Sequence, residues 1–212
     1  MNGFPGISRN AAIALGGVLL MTAGTALAAD DNVSVDQIVN ALQPKTLTRS
    51  LSADRPDPSV QTREDSFINS VRNRNTRSLS LGERDQIAEI AATRPKIDLD
   101  IQFEYNSAKI SRASLPAVQE LGKALSNPAF KGSTFVVAGH ADAIGGESFN
   151  QDLSERRADT IKQYLSVKFG IAGGDLVTVG YGKTRLKDPN APAAAVNRRV
   201  QVVNLTGQTA SK

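Results

Sequence analysis

The sequence predicts an α/β fold, a two-layer sandwich in the order β-α-β-α-β-β with two helices packed on one face of a mixed sheet. Three observations predict it. Apolar and polar residues alternate from Ile97 to Tyr105, two amphipathic helical patterns follow, and short apolar runs occupy residues 133–138, 176–181 and 200–205. These patterns lie in the second half of the 212-residue chain, and about 110 residues suffice for one independent core. A partly helical or disordered arm precedes this domain.

Residues 1–28 are typical of a signal peptide. Arg9 supplies the positive charge, the run from Asn10 to Ala29 is uncharged, and Ala26-Leu27-Ala28 is a small-x-small cleavage site. An uncleaved membrane helix is the alternative, because about 20 uncharged residues can just span a bilayer. The apolar core is short and interrupted by two adjacent glycines, which favours cleavage.

Residues 29–94 form the predicted arm, which combines short helices with a linker. Capping boxes at Ser34-Gln37 and Ser80-Glu83 predict one helix ending before Pro44 and another ending near Thr93. Few large apolar residues occur between Lys45 and Arg63, so this stretch is predicted to be linker. The arm also contains a basic cluster, which indicates a solvated face, contact with an anionic surface or a protein partner: Arg72, Arg74 and Arg77.

Each element of the domain has a local signal. The alternation from Ile97 to Tyr105 predicts a strand with one wet face, after which Asn106 and Ser107 turn the chain. A helix is expected from Ser111 or Ser114 to about Ser126, with Pro116 tolerated in its first turn. A buried strand at residues 133–138, a helix from Leu153 to Phe169 and two Val-rich strands complete the domain, and residues 207–212 are a polar tail.

One charged residue violates the pattern of the second helix. At about 100° per residue, Arg157 lies between Leu153 and Ile161 in an apolar arc of roughly 140°. A guanidinium among apolar residues needs an acidic partner, and Asp142 in the preceding glycine-bearing loop is the candidate. The two groups form either a structural ion pair or a site that grips a zwitterion, with ammonium on aspartate and carboxylate on guanidinium. Three other charged residues are expected outside the arc, on the solvated side: Glu155, Arg156 and Asp159.

Composition argues against several kinds of function. With no cysteine, the chain has neither a disulfide nor a thiol nucleophile. Its one histidine, His140, is expected to be a buried, hydrogen-bonded residue at a strand end, and it cannot form the usual zinc site alone. A hydrolase using His140 and Asp142 is an alternative, but no nucleophile has an evident position. Aromatic residues are 5%, Trp is absent and the net charge is only +4, so nucleic-acid binding is not expected.

Five motifs in order resemble one known family. They are Phe103-x-Tyr105-Asn106-Ser107-Ala108, Gly139-His140-x-Asp142-x-x-Gly145, Asn150-x-x-Leu153-Ser154-x-x-Arg157-Ala158, Gly180-Tyr181-Gly182 and Asn197-Arg198-Arg199-Val200. Together they resemble the OmpA-like C-terminal domain, the peptidoglycan-binding module of Gram-negative envelope proteins. The resemblance places the domain at residues 95–206.

The resemblance implies specific roles for five residues. Asp142 would hold the ammonium and Arg157 the carboxylate at the second amino-acid centre of diaminopimelate in the peptide stem. Asn106 and Asn150 would hydrogen-bond the ligand, and Arg199 would shape the pocket. Ala141 departs from the family, which usually has threonine there.

The function implied is non-covalent binding of peptidoglycan by a protein of the periplasm or cell envelope, with association with the outer membrane as one option. The protein is expected to anchor or tether, without catalysis, cofactor or metal ion. Its expected partner is peptidoglycan. An envelope protein bound through the arm is a further candidate, and membrane contact is expected only if the N-terminal segment is uncleaved. The alternative is a membrane-anchored tether or stator-like component that keeps this segment.

Overall fold

The computed structural model describes residues 33–44 and 57–206. The predicted signal peptide, the polar tail and most of the predicted linker lie outside these residues. In the described part of the chain, no helix is both long enough and apolar enough to cross a membrane.

The centre of the domain is a four-stranded mixed sheet in the order β1-β4-β2-β3. The strands are β1 (Lys96–Leu99), β2 (Phe135–Gly139), β3 (Leu176–Gly180) and β4 (Val200–Asn204). The last strand, β4, lies between β1 and β2 and is antiparallel to both, whereas β2 and β3 are parallel. The residues just before β4 are therefore brought beside the end of β2.

Helices cover both faces of this sheet. They are α1 (Val35–Leu42), α2 (Pro58–Val71), α3 (Leu81–Ala92), α4 (Leu115–Leu125) and α5 (Glu147–Phe169). Because successive strand residues point to opposite faces, Val137 joins the core with α1, α4 and α5, while Val136 joins the core with α2 and α3. The predicted α/β class, with helices packed on a mixed sheet in the order β-α-β-α-β-β, is confirmed.

The arm supplies the cover for the second sheet face, for which the sequence predicts none. Both predicted capping boxes form, at Ser34 and at Ser80. The predicted linker overlaps a helix that the sequence analysis does not predict, α2, which begins at Pro58. The missed signal is an N-cap aspartate followed by proline at the first helical position, since Asp57 accepts a hydrogen bond from the Ser59 N–H at 2.8 Å.

The basic cluster of the arm is ion-paired within the chain. Arg72 pairs with Asp175, Arg74 with Glu83 and Arg77 with Asp152. Two of these pairs join the arm to the domain, so the cluster is more than a freely solvated linker face. Side chains at these pairs remain partly exposed, and each pair therefore adds only a little to stability.

The first strand is shorter than its alternating pattern predicts. It leaves the sheet after Leu99, where the Ile101 N–H bonds to the Leu99 carbonyl at 3.0 Å. Beyond this bend, Phe103 forms an isolated bridge with Ile110, and the turn between them contains Tyr105, fully exposed. The alternation of apolar and polar residues does not reveal such a bend, because the apolar residues before and after the bend can still pack in the same core.

The helix α5 begins at Glu147, six residues before its predicted start, so Arg157 lies in its middle. The expectation that Glu155 is solvated is wrong, and Asp159 is only partly exposed. Glu155 is buried and forms a salt bridge with Arg84 at 3.1 Å, and Asp159 accepts a hydrogen bond from Thr178 at 2.8 Å. The reason is that the arm also covers this side of α5, which helical periodicity assigned to solvent.

Candidate functional site

The loop that carries Asp142 is held against α5 by a close approach of backbones. A side chain on Gly139, the last residue of β2, would place its Cβ 2.2 Å from the Ser154 carbonyl oxygen. Only glycine avoids this clash, so the strand end and the helix can touch. The loop at residues 140–146 then emerges beside the N-terminal half of α5.

Asp142 is 7% exposed, and both of its carboxylate oxygens accept hydrogen bonds. Oδ1 accepts from the Ile144 N–H at 3.0 Å, and Oδ2 accepts from Nη1 of Arg198 at 2.6 Å. Asn150 braces the same loop, because its Nδ2 donates to the carbonyls of Asp142 and Ile144 at 3.3 and 2.8 Å. The carboxylate is therefore fixed in place and is paired with a residue that sequence reasoning left without a role.

Arg157 lies among apolar residues, as predicted, yet it does not pair with Asp142. Its Nε donates to the Ser107 carbonyl at 3.2 Å, and its guanidinium carbon lies 4.8 Å from the centre of the Phe103 ring. No acidic side chain of residues 33–44 and 57–206 forms a salt bridge with it. Burial lowers the pKa of Arg157, nearby Arg198 lowers this pKa further, and Asp142 acts in the opposite direction. The guanidinium still stays protonated at neutral pH.

A cavity of about 260 Å³ opens beside this guanidinium. Its lining includes Phe103, His140, Arg157, Arg198 and Arg199. Arg199 lies 3.3 Å from Asp98, which also pairs with Lys187, and Arg198 is paired with Asp142. Among these three arginines, Arg157 alone has no acidic partner in the described residues. Its guanidinium is therefore the group of this cavity, which Asp100 also lines, that is open to an anionic ligand.

His140 is buried at the end of β2, as the sequence predicts, and is 4% exposed. Its Nδ1 lies 3.1 Å from the Arg185 carbonyl oxygen. Burial, aided by the positive charge of Arg199, lowers the pKa of His140 to about 3. The imidazole is therefore neutral at physiological pH.

This histidine should make the protein less stable as the pH falls. The folded state keeps His140 neutral to about pH 3, whereas the unfolded chain protonates it near 6.5. Below that pH the unfolded state binds one more proton, so the free energy of unfolding falls by about 1.4 kcal/mol per pH unit. Between pH 7 and pH 5 we expect a loss of about 2 kcal/mol from this group in urea unfolding. The same loss in His140→Gln, which cannot titrate, would contradict the assignment.

The other predicted site residues occupy different positions. Asn106 is exposed in the turn beside Ser107, with a left-handed backbone (φ 49°), and does not line the cavity. Asn150 is buried, and its amide nitrogen is used by the loop. Arg199 lines the cavity, as a pocket-shaping residue would.

Arg198 is the residue that sequence reasoning missed. It follows Asn197 and precedes Arg199, directly before β4. Neighbouring side chains of an extended segment point to opposite sides, so two consecutive arginines are expected to contact different groups. The structure gives them Asp142 and Asp98 respectively.

Comparison with known proteins gives one family. Residues 102–199 match the model of the OmpA family. The outer membrane porin F of Pseudomonas aeruginosa is 33% identical over 108 residues, which are 50% of this chain and 30% of that protein. Outer membrane protein A of Klebsiella pneumoniae is 35% identical over 96 residues, 45% of this chain and 28% of that protein. The chain thus spans less than a third of the length of these two relatives.

Two solved structures are similar to part of this chain. The peptidoglycan-associated lipoprotein of Burkholderia pseudomallei is 21% identical, with a TM-score of 0.42 over 54% of this chain and 92% of that one. The cell wall anchor of the type VI secretion system of Pseudomonas aeruginosa is 24% identical, with a TM-score of 0.43 over 64% of this chain and 99% of that one. On the sequence match, residues 102–199 of this chain form a domain of the OmpA family.

Proposed function

We propose that this protein binds peptidoglycan non-covalently through the diaminopimelate of the peptide stem and so anchors or tethers in the Gram-negative cell envelope. One observation carries the proposal: Arg157 meets no acidic side chain of the described residues and borders a cavity. A half-buried guanidinium without a carboxylate partner is costly unless a ligand supplies one. The match of residues 102–199 to the OmpA family model supports the same ligand class.

The second amino-acid centre of diaminopimelate is a zwitterion, which suits the two charges of the site. Its carboxylate would bind Arg157 in a charge-assisted, bidentate arrangement. Its ammonium would bind Asp142, which Arg198 already contacts. The side chain of Arg198 is 49% exposed, so it can move aside or join Arg157 on the ligand carboxylate.

The remaining site residues receive supporting roles in this proposal. Asn106 is exposed at the turn next to Ser107, whose carbonyl holds Arg157, and its amide would hydrogen-bond the ligand. Asn150 would act on the ligand indirectly by holding the loop of Asp142. Arg199, held by Asp98, would shape the cavity wall.

The location follows from the proposed ligand. Peptidoglycan lies in the periplasm, and the relatives described above are named as outer membrane proteins, so we propose the periplasm or outer envelope for this chain. A signal peptide at residues 1–28 would deliver it there.

The second candidate function is that of a membrane-anchored tether. It requires that the uncharged segment at residues 10–29 stays attached to the protein. The mass of the exported protein distinguishes the cleaved form from the uncleaved form. A protein partner that used the basic cluster of the arm would compete with its internal ion pairs.

Selectivity between two kinds of cell wall tests the proposal. A lysine-type stem lacks the second carboxylate, which would leave Arg157 unpaired, so binding should weaken by about 2 kcal/mol, roughly thirtyfold. The measurement is co-sedimentation of the purified protein with diaminopimelate-type and lysine-type sacculi. Free meso-diaminopimelate should displace the protein from the first type, and Nα-acetyl-lysine amide, which has the side-chain ammonium but no carboxylate, should not. Equal retention on both sacculi would refute the diaminopimelate mechanism.

A further inference from the structure

Among the described residues, one acidic residue, Asp100, lines the cavity beside Arg157. Asp100 is exposed and directly follows β1, where the chain leaves the sheet. Within residues 33–44 and 57–206, its carboxylate forms no salt bridge and accepts no hydrogen bond. Asp142, by contrast, does not line this cavity, and both of its carboxylate oxygens already accept hydrogen bonds. Asp100 is therefore the acid that a ligand in this cavity can meet without a rearrangement of the protein.

Asp100 and Arg157 carry opposite charges and line the same cavity, yet they do not form an ion pair with each other. The other two arginines of the lining have acidic partners, Asp142 and Asp98. Asp100 and Arg157 are thus the two charged groups of the lining that lack an opposite partner in the part of the chain that the structure describes. Unpaired charges of both signs in one cavity match a ligand that itself carries both signs.

Local contacts keep these two side chains apart. Ile101, the residue after Asp100, is 2% exposed, and its N–H belongs to the bend that ends β1. The guanidinium of Arg157 is held by the Ser107 carbonyl, to which its Nε donates at 3.2 Å. Moving either group toward the other would break these contacts, so the space between them stays open to a ligand.

The cavity has room for one amino-acid centre and not for a longer piece of a polymer. Its volume of about 260 Å³ lies just below the range of roughly 300–1,000 Å³ that is typical of small-molecule pockets. The ammonium and the carboxylate of an α-amino acid are bonded to the same carbon, so both charges enter together. A carboxylate on Arg157 therefore brings the ammonium into the cavity that Asp100 lines.

We propose that Asp100 accepts a hydrogen bond from the ammonium of the amino-acid centre whose carboxylate binds Arg157. This inference rests on the proposed function and adds a second acidic residue to it. Asp142 can reach the ammonium only if Arg198 moves aside, whereas Asp100 needs no such change. The ammonium has three N–H donors, so it can use both acids. Asp100 makes the site selective for an amino acid over a plain carboxylate.

Two peptides that differ only in this ammonium test the contact. The first is N-acetyl-L-Ala-γ-D-Glu-meso-diaminopimelate. The second ends in 2-aminopimelate, which keeps both carboxylates but has no amino group at the second centre. Dissociation constants for the full protein and for Asp100→Asn are measured by NMR titration, which also reaches weak binding. We expect Asp100→Asn to bind the first peptide about tenfold more weakly or worse, and the second at least as tightly as the unaltered protein does.

Glu104 provides the matched control. It lies in the same segment, is exposed, does not line the cavity and pairs with Lys109 at 2.7 Å. Glu104→Gln removes the same formal charge from the surface and should change the binding of either peptide by less than about twofold.

The outcomes separate this contact from the proposed function. If Asp100→Asn weakens the binding of both peptides equally, or weakens the first no more than Glu104→Gln does, the role of Asp100 is refuted while the proposed function stands. If the unaltered protein binds neither peptide, the proposed function fails and the contact with Asp100 fails with it.

Discussion

Replacing Arg157 with alanine should reduce binding to diaminopimelate-type sacculi by about a hundredfold or more while leaving the protein folded. The change removes a charge-assisted pair and leaves the ligand carboxylate unpaired in a half-buried site, which costs about 3 kcal/mol. Stability should change little, because the native contacts of Arg157 are one hydrogen bond to Ser107 and the face of Phe103. The measurements are sacculus co-sedimentation and urea unfolding.

The matched control is the neighbouring residue on the same helix. Arg156 pairs with Asp152 at 2.8 Å, one turn earlier, on a partly exposed side of α5. Its replacement by alanine removes the same formal charge but only a surface ion pair, worth about 0.3–0.5 kcal/mol. Binding should stay near that of the unaltered protein. If Arg156→Ala and Arg157→Ala bind alike, whether both weakly or both well, the guanidinium at Arg157 has no special role.

Replacing Ile87 with aspartate should destabilise the whole protein by about 4 kcal/mol or more. Ile87 is 1% exposed and belongs to the core between α3 and the sheet. The change removes a buried side chain and places an unpaired carboxylate against the valines of the sheet. Equilibrium unfolding in urea, followed by circular dichroism, measures the loss.

Gln86 provides the control for this change. It precedes Ile87 on α3 and is exposed, so Gln86→Asp adds the same carboxylate to the surface and should alter stability by less than about 0.5 kcal/mol. Should Ile87→Asp unfold at the same urea concentration as Gln86→Asp, the arm would be an appendage and not part of the cooperative core.

The arm also reaches the neighbourhood of the site. Asp85 on α3 forms a salt bridge with Arg185 at 2.9 Å, and the carbonyl of Arg185 is the partner of His140. The ring of Tyr181 packs against His140, with the ring centres 5.3 Å apart. The Tyr181 hydroxyl donates a hydrogen bond to the Arg84 carbonyl at 3.3 Å. Residues outside the matched 102–199 segment therefore support the wall of the cavity.

Local pattern in the sequence is enough to predict most elements of the domain. The two capping boxes, the period-two run around Leu99 and the apolar arc through Leu153 and Ile161 all have their predicted structure. The burial of Arg157 also follows from helical spacing, because the positions that share one side of a helix depend only on its geometry. The predictions differ from the structure at α2, for which no helix is predicted, at the start of α5 and at the bend after β1.

The sequence by itself therefore determined the fold class, the approximate positions of the helices and strands of the domain, and one arginine placed among apolar side chains. Only the tertiary structure decided that Asp142 pairs with Arg198, 56 residues away, that Arg157 keeps no acidic partner among the described residues, and that the arm covers the second sheet face. The physical reason is that periodicity reports which residues share a side of one element. Which element then meets that side depends on strand order, here on β4 entering the sheet between β1 and β2.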